Sequence, residues 1–134
     1  MLSLCQKLLN FYDHSSARVR HQLSVALGSY NNDQSRKILY KLLNDIEPNV
    51  RWDAAISLAK QNDNKGRRII LDLMDRKYLD SFPNIDPIEQ SQAMMTAIAV
   101  SKKILDDEIK EVLVDLMEND INMKIRQSAR NVLE

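Results

Sequence analysis

The residues with an obvious capacity for chemistry are few. His14 and His21 stand beside Asp13, and Cys5 is the single cysteine of the 134-residue chain. Two imidazoles and a carboxylate are one ligand short of a closed zinc site, and would need to converge in space. A structural role accounts for them better. His14 follows Asp13 in a turn segment, and His21 shares its column in the repeat described below with Trp52 and Gln127, which have no chemistry in common. No metal or other cofactor is expected. A lone cysteine forms no internal disulfide, which places the chain in a reducing, cytoplasmic setting, where Cys5 serves as a small buried hydrophobe. Neither a Gly-rich phosphate loop nor a nucleophile elbow occurs, so no enzymatic activity is expected.

Charge is more informative. Asp107, Glu111 and Asp115 recur at i, i+4, i+8, which places three carboxylates on one helix face. Such a ladder is either a solvated surface or a docking surface for a basic partner. Over the whole chain 19 basic side chains balance 19 acidic ones, so no global field draws it to nucleic acid or to an anionic membrane. The halves differ: residues 1–66 hold nine Lys/Arg against six Asp/Glu, and residues 67–134 hold ten against thirteen. No apolar run approaches the ~18 residues that signal a membrane span.

The elements that must position these groups are helices. Only two glycines and three prolines interrupt the chain, too few for a turn-rich sheet protein. ARVRHQLSVALG (17–28), NVRWDAAISLA (49–59) and KIRQSARNVL (124–133) superpose. Val19, Val50 and Ile125 coincide, each followed by Arg20, Arg51 or Arg126, with apolar residues four and eight positions on. This is the stripe of an amphipathic helix, called A below. RKILYKLLND (36–45), RRIILDLMDR (67–76) and KEVLVDLMEN (110–119) form a second, alternating set, B. Val19 to Val50 and Ile38 to Ile69 both span 31 positions. A helix pair of that size cannot bury its apolar face alone, so neighbouring pairs must stack.

Asp13, Asp45 and Asp120 fall where a B segment ends and the turn to the next A segment begins. There a carboxylate can accept backbone N–H bonds or an arginine from an adjacent repeat. Arg20, Arg51 and Arg126 are expected to line successive turns and tie repeat to repeat.

The pattern of Asp, a short turn, Val-Arg, then a small residue and Leu at helical spacing resembles HEAT repeats, specifically the short bacterial kind named after phycobilisome lyases. DHSSARVRHQLSVALG and DIEPNVRWDAAISLA carry the resemblance closely and DINMKIRQSARNVL more loosely. It implies an all-α fold, a right-handed α–α superhelix or HEAT/armadillo-like solenoid of about eight helices, over residues 1–134 as a single domain. Helices are expected near 2–12, 15–28, 33–44, 47–60, 65–76, 88–104, 106–118 and 121–133. The resemblance also implies that B helices line a concave face. Arg36, Lys37, Lys41, Arg67, Arg68, Asp72, Asp107, Glu111 and Asp115 would then form a partner-binding surface graded from basic to acidic. Enzymatic branches of the family fit poorly: the His-Glu pairs of a di-iron hydroxylase are absent, and a DNA glycosylase would need a strongly basic groove.

The repeat breaks once. Ile69 to Val112 spans 43 positions, twelve beyond the repeat, with the irregular insertion near 77–87. Pro83 and Pro87 forbid one continuous helix there. Tyr78, Leu79, Phe82 and Ile85 either form an apolar contact patch for a partner or fold back over a gap in the core. Trp52 is expected to be partly exposed or packed on the neighbouring A helix. The function expected from these observations is a non-enzymatic protein-binding module or scaffold, with self-association possible. The alternative is an accessory subunit of a tetrapyrrole (bilin) lyase or related cofactor-handling enzyme.

Overall fold

A computed structural model describes residues 3–134; Met1 and Leu2, the latter the start of the expected helix 2–12, lie outside the described residues. The described residues hold nine α-helices and no strand: α1 (Leu4–Leu9), α2 (Ala17–Ala26), α3 (Asp33–Leu42), α4 (Pro48–Lys60), α5 (Arg67–Leu73), α6 (Arg76–Asp80), α7 (Pro87–Ser101), α8 (Asp107–Asn119) and α9 (Met123–Leu133). Short 3-10 turns follow α2 and α7. One helix exceeds the expected eight. The segment expected over 65–76 stops at Leu73, and RKYLD in the insertion forms α6, because the Asp75 carboxylate accepts from the Lys77 N–H and starts a new helix.

Most starts follow the same logic. Ser3, Ser16, Asn32, Asp86, Asp106 and Asn122 each accept a backbone N–H from the first turn of the helix that follows. A cap of this kind contributes about 0.5–2 kcal/mol. Helix α4 instead begins on Pro48, whose missing N–H would have been unpaired in any case. Its far end is a Schellman turn. Asn62 adopts a left-handed φ of 62°, its N–H bonds Ala59 O, and the Asp63 N–H bonds Leu58 O.

The chain divides into two compact units, the first ending at Arg67 and the second running Arg68–Glu134. In unit 1 the A helices α2 and α4 pack on each other, the B helices α1 and α3 do the same, and α3 also packs on α4. Leu23, Leu27, Leu39, Leu42, Val50, Ala54 and Leu58 make the core, all at or near zero exposure. The A-helix members are the periodic stripe read from the repeat, whereas on α3 the buried residue is Leu39 and the aligned Ile38 is half-buried. The A helices approach closely because the seam is small: a Cβ on Gly28 would lie 2.7 Å from Ser57 Oγ. Ser57 Oγ in turn donates to Ser24 O at 2.6 Å. A Cβ on Gly66 would meet the Ala55 backbone at 2.7 Å, so the start of the next B segment passes α4 only without a side chain. Trp52 is buried.

In unit 2, α9 packs on both α7 and α8. Met94, Ala97, Ile98, Ile109, Leu113, Ile125 and Ala129 are wholly buried. The insertion contributes to this interior. Leu79 is wholly buried, so it is not available to a partner as part of an apolar patch. Tyr78 and Phe82 are half-buried and meet edge to face, ring centroids 5.1 Å apart. Residues of α6 therefore fold back, as amphipathic spacing around Leu79 requires.

Candidate functional site

Two arginine–aspartate joints organise the turns. In unit 1, Arg20 on α2 reaches the turn before α4, where Nε donates to Asp45 Oδ2 at 2.8 Å and Nη2 to Asp45 Oδ1 at 3.1 Å. Its Nη1 donates to His14 O at 2.7 Å, so one guanidinium holds the turn before its own helix and the turn before the next. In unit 2, Arg76 at the start of α6 makes the same forked contact with Asp120, both bonds at 2.8 Å. Burial opposes ionisation of Asp45 and Asp120. The arginine hydrogen bonds, backbone N–H donors from Glu47 and Asn122 and the arginine charges outweigh it, and hold both carboxyls below their ordinary 3.8.

The expected ties are thus corrected at three points. Arg51 donates to the backbone carbonyls Asp45 O and Ile46 O, and Arg126 to Asp120 O, so each braces its own turn instead of gripping another repeat. The reach from the first turn of an A helix back to carbonyls five or six residues earlier is short. A second tie needs a carboxylate in the next turn, and the column that holds Asp45 holds Arg76 one repeat later. Asp120 is met by that Arg76. Asp13 is exposed, and no arginine pairs with it among the described residues.

Beside the Arg76–Asp120 joint, α5 and α8 enclose a groove of about 530 Å³. Its floor is apolar, from Leu71, Met74, Val112 and Leu116. Asp72 and Asp75 line one side, and Glu108, Glu111, Asp115 and Asn119 the other. With Asp120 that makes six carboxylates against the three cations Arg68, Arg76 and Lys77. Burial pushes the Asp72 carboxyl up, Arg68 pulls it down, and the negative charge of Asp75 raises it again. Arg68 is 72% exposed and extends over the groove, its Nε 3.8 Å from Asp72 Oδ1 and its Nη1 3.6 Å from Glu108 Oε2.

The structure brings together Arg68, Asp72, Glu111 and Asp115 from the expected surface. Asp107 is exposed in the first turn of α8 but does not line the groove. The face that does is 108, 111, 112, 115, 116 and 119, a helical stripe shifted from the one that contains Asp107. Counting that stripe from Val112 and Leu116 would have found Glu108. Met74 shares an apolar column with Leu43 and Met117, whereas Asp75 and Lys77 carried no periodic signal. Arg67 is half-buried at the head of α5. Arg36, Lys37 and Lys41 lie on α3 in unit 1. Arg36 is engaged by Asp33 at 2.5 Å and Asn31 at 2.6 Å, Lys37 is exposed, and the Lys41 ammonium sits 4.5 Å from the centre of the Tyr12 ring. Lys41 also lines a second hollow of about 440 Å³ with Tyr12, His14, Asp45 and Ile46.

The residues first considered for catalysis are dispersed. His14 Nδ1 accepts from the Ser16 N–H at 2.9 Å, His21 pairs with Asp53 between α2 and α4, and the buried Cys5 lies 3.2 Å from Ser35 Oγ. Among the described residues no three His, Cys, Asp or Glu side chains converge as metal ligands, and no helix is long and apolar enough to cross a membrane. A family profile described as HEAT repeats matches residues 5–80. Comparison with curated proteins gives no match.

Proposed function

Because the chain belongs to the HEAT-repeat family, a fold that commonly serves as a protein-interaction scaffold, we propose that it is a non-catalytic protein-binding module whose B-helix faces take the partner. The observation that carries this reading is the groove between α5 and α8, with an apolar floor and a charged rim. Concave sites with apolar floors and a few polar groups are where ligands and partners settle. In unit 1, taken by itself, the B helix α3 presents the exposed cationic residues Lys37 and Lys41.

The test is affinity capture from the native host with quantitative mass spectrometry. Wild type is compared with two folded variants: Arg36→Glu/Lys37→Glu/Lys41→Glu and Glu111→Lys/Asp115→Lys. A partner retained by wild type and depleted by both variants is the expected result. A partner set untouched by either variant removes the B-helix faces from consideration. Sedimentation of the purified chain over a range of concentrations tests self-association.

A further inference from the structure

The groove in unit 2 discriminates by charge, and this inference rests on the protein-binding reading above. We propose that the groove between α5 and α8 receives an arginine- or lysine-bearing segment of a partner protein, and that Arg68 is a resident cation which that segment displaces. Three observations carry this. The groove is a shaped hollow whose apolar lining includes the half-buried Val112, so an aliphatic stem can lie on it while its charged head reaches the rim. The rim carries an excess of carboxylates over cations, and those of Glu111 and Asp115 are exposed. Finally, the groove already holds a guanidinium in cis. Arg68 stands at 3.6–3.8 Å from its two carboxylates, whereas Arg76 is locked to Asp120 at 2.8 Å.

That contrast separates the two arginines. A forked, short, largely buried pair such as Arg76–Asp120 is part of the framework. A long contact from a side chain 72% exposed is weak and exchanges readily with solvent. Arg68 therefore marks the chemistry that the groove accepts without fixing it. An incoming cation meets Asp72, Glu111 and Asp115 once Arg68 swings out. Phosphate-bearing partners are disfavoured by the same carboxylates, which repel a nucleic-acid backbone.

The probe is a short fluorescein-labelled peptide of alternating Arg and Leu, with its Glu/Leu counterpart, measured by anisotropy against the full chain at moderate salt. Glu111→Lys/Asp115→Lys should weaken Arg/Leu binding by about tenfold or more. Glu89→Lys/Glu134→Lys makes the same change in net charge at exposed residues that do not line the groove and should alter it by less than about twofold, since rim charges act locally in salt. Arg68→Ala should tighten binding about threefold, because two carboxylates lose their internal competitor. Circular dichroism confirms that each variant is folded. Equal loss in both reversals, or weaker binding after Arg68→Ala, overturns the proposal. If the Glu/Leu peptide binds and the Arg/Leu peptide does not, the charge preference is wrong while the protein-binding reading stands. If neither binds, this inference falls, and the capture experiment decides the broader reading by itself.

Discussion

Removing either partner of the Arg76–Asp120 joint should destabilise unit 2, but unequally. Asp120 is the more buried member, its side chain 4% exposed against 25% for Arg76. Arg76→Met strands a carboxylate that water barely reaches, leaving only its Asn122 N–H donor at 3.0 Å. Breaking a fully buried pair costs about 3–5 kcal/mol, and the lower end applies here because Arg76 is partly solvated. Asp120→Asn keeps an acceptor for Asn122 and leaves a guanidinium that is a quarter exposed and can rehydrate. Its cost should be about 1–2 kcal/mol, the net worth of a charge-assisted hydrogen bond. The double variant should recover part of the sum, for a coupling of about 1–2 kcal/mol. Urea unfolding followed by circular dichroism measures all three. Trp52, the single tryptophan, lies in unit 1 and gives a separate fluorescence signal. Equal costs for the two single variants, or a coupling under about 0.5 kcal/mol, would refute the assignment of the joint as a buried framework pair.

Acid should expose the same joints. Asp45 and Asp120 have folded pKa values below their ordinary 3.8, so their stabilisation is complete above that value and lost as pH falls through the lowered folded values. Unfolding free energy should decline below about pH 4, and the Asp45→Asn/Asp120→Asn variant should show a shallower decline in the same titration. Gly66→Ala forces a Cβ into the α4 backbone at Ala55 and should lower stability by about 1–3 kcal/mol, read as a shift in urea midpoint. Asn62→Gly relieves the left-handed backbone at the end of α4 and should raise stability by a few tenths of a kcal/mol, up to about 1, in the same assay.

Much of the fold was legible because the repeat is periodic at two scales. Leu23, Leu27, Val50, Ala54 and Leu58 announce their face by spacing alone, and the structure buries all five. The family profile over residues 5–80 agrees with the resemblance carried by the Asp and Val-Arg pattern. Pairing across turns was less legible. Arg20, Arg51 and Arg126 occupy one column, yet only Arg20 meets a carboxylate of another turn, because a forked bond depends on what the following turn presents. Arg76 was read as part of a B segment, and its role as Asp120's partner depends on where the insertion carries the chain. Trp52 is buried although its column holds His21 and Gln127, a packing outcome that no single column encodes. The groove showed part of its wall in the sequence, through Arg68, Asp72, Glu111 and Asp115. The rest comes from Asp75 and Glu108, whose side of the helix is set by packing.

The position of Arg76 has a consequence for how the chain tolerates length change. The framework contact of unit 2 is made at the first residue of α6, and Leu79 anchors three residues later. Helix α7 is restarted independently by the Asp86 cap. Between them Ser81 and Phe82 still contact Tyr78, whereas Pro83 and Asn84 are exposed. Loop closure entropy grows only slowly with added residues. Extra residues spliced between Pro83 and Asn84 should therefore leave the folded body intact, whereas a single deletion at 75–79 would pull the arginine out of reach of its aspartate. The insertion is a place where this chain can take up new surface without disturbing its frame.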